Sequence, residues 1–407
     1  MSFQSLGLSD ALLKAISKKG YLEPSPIQLQ SVPPILAGRD ILASAQTGTG
    51  KTAGFTLPML QLLSNQNVKP NRKIRTLILT PTRELAAQVH ESVLDYAHFL
   101  EIKSTVIFGG VGANPQISAL KSGIDVLIAT PGRLLDLKNQ GFLSLADVEI
   151  LILDEADRML DMGFLRDIKK ILAYLPTKRQ NLLFSATFSE SIKKLANGIL
   201  NNPVIIEISP EITTAERVNQ TLFHVNKGDK PGIVTQLIKK ENWSNVLIFT
   251  RTKHGANKLT EKLIKSNINA AAIHGNKSQS ARTKALEGFK NGSIQVLVAT
   301  DIAARGLDIP LLPCVINYEL PNIPEDYVHR IGRTGRAGES GNAISLVCDE
   351  ELSYAKAIEK WIGERLTMQT LPDFRPEKSS EAENRSSSPA PKSQGNKKRN
   401  FNYSRRR

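Results

Sequence analysis

The chain has 407 residues and a formal net charge of +14, with 53 Lys and Arg against 39 Asp and Glu. That length exceeds one compact core and predicts two domains of ordinary size plus a remainder, while the charge draws polyanions, nucleic acid first and anionic membrane surfaces second. Two cysteines outside any C-x-x-C pair exclude a disulfide framework and a zinc site, and no apolar run of about 18 residues is present to span a membrane.

In chain order, MSFQSLGLSDALLKAISKKG lacks the basic start and apolar centre of a signal peptide, so the expected location is cytoplasmic. Residues 40–43 read as a strand, followed by A-Q-T-G-T-G-K-T at 45–52 and a helix. Further β-rich runs at 76–80, 125–130, 150–153 and 181–185 are each followed by polar residues and a helix-like stretch, the βα alternation of a parallel sheet. After a run at 203–208, S-P-E-I-T-T-A-E-R shows no clear period, which predicts a linker at 209–218. The pattern then restarts at 246–250, 270–274, 295–300 and 315–318. The expected organisation is an N-terminal domain at 1–208, the linker, and a C-terminal domain at 219–371. Residues 372–407 hold ten basic and four acidic residues and almost no aliphatic ones. Such a segment buries too little apolar area to offset the entropy of ordering, and predicts a disordered basic arm.

Two loops carry chemistry. In 45–52 the glycines at 48 and 50 let backbone N–H groups turn toward phosphate oxygens, Lys51 supplies charge and Thr52 a hydroxyl for Mg²⁺. Ala45 stands where the generic pattern G-x-x-x-x-G-K-[ST] has glycine. In V-E-I-L-I-L-D-E-A-D-R at 148–158, an apolar run buried on both faces ends in three carboxylates, Asp154, Glu155 and Asp157, whose mutual repulsion calls for a cation. Paired with the phosphate loop, Asp154 is expected to hold Mg²⁺ through water and Glu155 to orient or deprotonate the attacking water.

With A-Q-T-G-T-G-K-T, D-E-A-D and S-A-T in this order, followed by H-R-I-G-R-T-G-R, residues 3–347 resemble a DEAD-box ATP-dependent RNA helicase of superfamily 2. S-F-Q-S-L-G-L and S-A-Q-T-G-T-G-K-T-A-G-F-T-L-P most resemble the bacterial RhlE-like branch. The resemblance implies an α/β fold of two tandem RecA-like domains, each a parallel sheet flanked by helices, with ATP between them and RNA across both. It assigns G-Y-L-E-P-S-P-I-Q to adenine, with Gln28 reading the base and Tyr21 and Phe3 as aromatic supports. It implies ATP contacts by Thr47, Gly48, Thr49, Gly50, Lys51 and Thr52, and ribose and phosphate contacts by Gly306 and Asp308. Arg333 and Arg336 would be arginine fingers from the second domain, acting with Lys51 and Glu155. Backbone contacts to RNA fall to Thr82, Arg83, Gly110, Thr130 and Arg133 in the first domain. In the second they fall to Arg251, Gly275, Gln279, Arg282 and Thr300. Asp157, Ser185, Thr187 and His329 are expected to couple the two sites.

A non-catalytic RNA chaperone and a DNA-translocating motor of the same superfamily are the rival readings. Backbone contacts carry no address, so ribosomal precursors and an RNA-decay complex both stay open as partners.

Overall fold

The computed structural model describes residues 2–45, 48–65, 72–208, 218–304, 309, 312–334 and 341–371. Four expected site residues, Thr47, Gly306, Asp308 and Arg336, lie outside them, as do the arm at 372–407 and all of the expected linker except Val218.

The first lobe is a parallel sheet of β1 (Ile41–Ser44), β2 (Thr76–Leu79), β3 (Ser104–Ile107), β4 (Val126–Ala129), β5 (Ile150–Leu153), β6 (Gln180–Ser185) and β7 (Val204–Glu207), in the order β3-β4-β2-β5-β6-β1-β7. The second holds β8 (Val218–His224), β9 (Val246–Thr250), β10 (Ala270–Ile273), β11 (Val296–Thr300), β12 (Cys314–Asn317), β13 (Gly341–Val347) and β14 (Met368–Gln369), ordered β10-β11-β9-β12-β13-β8-β14. The second order is the first shifted by seven, so the chain repeats one architecture twice. Val218, expected in the linker, already opens β8.

The central strands are buried on both faces because successive side chains enter different cores. Ile150 and Ile152 pack with Ile41, Ala43 and Ile78 on one face, Leu151 and Leu153 with Leu42, Leu77 and Leu79 on the other. Val246 and Ile248 oppose Leu247 and Phe249 in the same way in the second lobe.

Strand order sorts the functional loops. Beyond the carboxyl ends of β3, β4 and β2 lie Gly110, Thr130 with Arg133, and Thr82 with Arg83; beyond β5, β6 and β1 lie Asp154 with Glu155, Ser185 with Thr187, and the phosphate loop. The second sheet repeats the division, with Gly275, Thr300 and Arg251 at β10, β11 and β9, and the His329–Arg333 segment after β12. One half of each sheet thus presents the residues expected at RNA, the other those expected at ATP.

Candidate nucleotide and RNA sites

The phosphate loop enters the helix Lys51–Ser64 through Gly50, whose φ of 91° is left-handed. A Cβ there would overlap Gln28 Nε2 and lie 2.9 Å from Ser25 Oγ, so conformation and space both demand glycine. Gln28 is more engaged than a free adenine reader: its Oε1 accepts from Ser25 N–H (3.0 Å) and its Nε2 donates to the Gly50 carbonyl (3.1 Å). One N–H and one lone pair are left for a base. Phe3 is buried in the core of the first lobe and lines no part of the cleft, whereas Tyr21 is half exposed and does.

A cavity of about 490 Å³ holds Tyr21, Gln28, Lys51, Asp154 and Glu155 from the first lobe and Arg333 from the second. Lys51 is buried and donates to the Ala45 carbonyl. Glu155 takes a left-handed φ of 51°, rare for a side-chain-bearing residue, where β5 turns into the helix Ala156–Asp161. Burial, then the Glu155 charge, push the Asp154 carboxyl up to about 7, against the pull of Lys51. Burial also raises Glu155, while Lys51 and Arg333 draw it down. The cleft is therefore short of positive charge. A carboxylate and a hydroxyl, Asp154 and Thr52, are hard oxygen donors, and no cluster of three metal-ligating side chains occurs among the described residues. That sparse set fits Mg²⁺, which keeps its waters and takes phosphate oxygens.

Asp157 ties the strand ends together: its Oδ2 accepts from Ala186 N–H (2.9 Å) and lies 3.5 Å from Thr187 Oγ1, and Ser185 Oγ accepts from Thr187 N–H (3.3 Å). His329 of the second lobe lines, together with Asp157, a separate inter-lobe cavity of about 250 Å³, its pKa lowered by burial and opposed by the Asp157 charge.

A second cleft of about 470 Å³ is lined by Thr82, Arg83, Thr130 and Arg133 from the first lobe and by Gly275 and Arg282 from the second. The Arg83 guanidinium occupies the space a Cβ on Gly110 would need, at a φ of 77°. Thr82 caps its helix by accepting from Leu85 N–H (3.2 Å). Arg133 donates to the Val111 carbonyl (3.1 Å) and leaves Nη1 without a partner. Thr300 is buried at the end of β11.

Three expected RNA contacts are occupied differently. Gln279 and Arg282 reach across to Glu84 of the first lobe, Nε2 to Oε1 at 2.9 Å and Nη2 to Oε2 at 2.8 Å, because a buried carboxylate needs donors and they are the nearest. The Arg251 guanidinium faces acids of its own lobe, 3.6 Å from Glu351 and 3.8 Å from Glu319, over the Tyr354 ring. Two residues went unassigned in the sequence. Glu84, the acid of P-T-R-E-L, joins the lobes. Arg330, between His329 and Arg333, is almost fully buried and grips Asp301 with Nε (2.6 Å) and Nη2 (2.7 Å).

The family described as DEAD/DEAH box helicase matches residues 25–195, and the helicase conserved C-terminal domain matches 229–338. The chain is 42% identical over 372 residues to the DEAD-box ATP-dependent RNA helicase RhpA of Helicobacter pylori, covering 91% of this chain and 74% of that protein. It is 41% identical over 366 residues to the ATP-dependent RNA helicase RhlB of Serratia proteamaculans, covering 89% and 86%. The structure of Saccharomyces cerevisiae Dbp5 bound to RNA and ADP BeF3 superposes with a TM-score of 0.80 at 34% identity, over 91% of this chain and 95% of that one. The two tandem RecA-like domains expected from the sequence are those of these relatives, and the chain belongs to the DEAD-box ATP-dependent RNA helicases.

Proposed function

We propose that this RNA helicase works as a clamp whose two lobes, 1–208 and 218–371, close on ATP at one end of the seam and on RNA backbone at the other. The observation that carries this reading is the nucleotide cavity itself, where Lys51 and Glu155 of one lobe face Arg333 of the other. Lys51 leaves the Ala45 carbonyl to hold the terminal phosphates. Glu155 orients a water and takes its proton as the water oxygen bonds to the γ-phosphorus, and the bond to the bridging oxygen breaks toward ADP. Arg333 meets the charge developing on the transferred group. Asp154 and Thr52 would hold Mg²⁺, which neutralises phosphate charge when bound.

RNA lies against Arg83, Gly110, Thr130 and Arg133 of the first lobe and Gly275 and Thr300 of the second, through phosphate and sugar rather than base edges. The Glu84 bridge to Gln279 and Arg282 stands at that end of the seam. A strand gripped there in a bent form is incompatible with a continuous duplex, so closure separates a short helix and phosphate loss reopens the seam. We place the work in the cytoplasm, on ribosomal precursors or messages undergoing decay. Among the described residues no helix is long and apolar enough to cross a membrane. The test is Glu155→Gln: RNA-stimulated ATP hydrolysis should fall by roughly 10²-fold or more while ATP still binds. Full turnover in that variant would remove Glu155 from the chemistry.

A further inference from the structure

We propose that Arg158 is an inter-lobe clasp: as the lobes close on ATP and RNA, its guanidinium bridges Asp161 of its own lobe and Glu325 of the facing one. The proposal rests on the clamp reading and adds a positioning residue that touches neither ligand. Arg158 follows the D-E-A-D run and is 6% exposed, yet its Nε and Nη2 have no hydrogen-bond partner. Nη1 comes no closer than 3.8 Å to Asp161, beyond hydrogen-bond reach. A buried cation with two empty donors is costly, and native structures rarely leave one so. The arrangement is therefore one state of a group that another state satisfies.

What can satisfy it is narrowed by the acids nearby. Asp157 is taken by Ala186 N–H and by the N–H of Arg158 itself. Glu155 lines this cavity too, but it also lines the nucleotide cavity, where Lys51 and Arg333 act on its charge, and Asp301 gives both carboxylate oxygens to Arg330. Glu325, in the first turn of the helix Pro324–Ile331, has no hydrogen bond or ion pair among the described residues. It lines the same inter-lobe cavity of about 250 Å³ as Arg158 and Asp161. Glu325 is also near enough to Asp161 to add to the rise in that carboxyl, which burial begins and the Arg158 charge opposes. Two carboxylates thus face each other across the seam beside an underbonded guanidinium. Placed between them, Arg158 bridges the two lobes at this end of the seam and narrows the cavity.

The test is a double-mutant cycle in the full chain, with Arg158→Glu, Glu325→Arg and both. The readout is the ratio of affinities for a fluorescent single-stranded oligouridylate with and without a non-hydrolysable ATP analogue. Each single variant should cut that ratio by about tenfold. The double variant should recover most of it, with affinity in the absence of nucleotide unchanged within about twofold. A structural role alone would not be rescued by exchanging the charges. Glu325→Gln, a partly exposed change that keeps the helix start, should reduce the ratio less than Glu325→Arg does. An unchanged ratio in either Glu325 variant, or a double variant no better than the product of the singles, overturns the clasp. A ratio of one in the unmodified chain overturns the clamp reading first, and the clasp with it.

Discussion

Burial, and then the neighbouring Glu155 charge, push the Asp154 carboxyl up to about 7, because both disfavour its anion. The ordinary carboxyl value is 3.8, so the folded chain binds this proton more tightly than the unfolded chain does. Its contribution to stability is therefore lost as pH rises from about 4 through about 7, and a cation that needs the carboxylate must displace the proton. Binding of Mg·ATP at pH 6 should release close to one proton, and at pH 8.5 almost none, measured calorimetrically in two buffers of different ionisation enthalpy. Equal heats in both buffers at pH 6 would contradict the assignment. The placement of this carboxylate was legible in the sequence, since Asp154 directly follows the buried run that forms β5. The difference between Arg330 and Arg333 was not, because the two share a chemistry and a turn. Only the packing of Arg330 under Phe249 and against Asp301 separates a structural guanidinium from one that faces the cleft.

Elements whose strands are apolar throughout were legible: β2, β4, β5, β9, β11 and β12 lie where the runs of Val, Ile and Leu predict them. β3, β8 and β13 were missed because Ser, Thr, Asn and Gln interrupt or shorten their apolar runs, and the two residues of β14 carry no pattern. These include both partners of the β8–β13 pair, of which β13 is buried almost throughout despite Asn342 and Ser345 in its run. The helix Lys51–Ser64 shows how one backbone position governs an element's function. Gly50→Ala forces a side chain into Gln28 and into a left-handed φ, which should cost about 1–3 kcal/mol and shift the helix start. ATP affinity should drop while the RNA affinity of the nucleotide-free chain holds. Equilibrium binding of a fluorescent ATP analogue checks it, and wild-type affinity would mean that the loop re-forms around the new Cβ.

The whole molecule repeats one strand order, and that repetition makes the sites composite. Residues of both lobes line each of the two clefts, so on the proposed clamp each lobe would contribute half a nucleotide site and half an RNA track, and neither ligand would be fully gripped until the lobes meet. The two-domain plan could be read from the restart of the βα pattern, whereas the cross-seam contacts could not. Glu84 lies 195 residues before Gln279, and pairing at that distance leaves no local signature. The same carboxylate gives the clamp a second handle, since Glu84→Ala should loosen closure without unfolding either lobe. The direct test of the clamp is RNA affinity with and without a non-hydrolysable ATP analogue. The account predicts tightening on the order of tenfold or more in the unmodified chain, and a smaller factor in Glu84→Ala. Identical affinities with and without the analogue would contradict it.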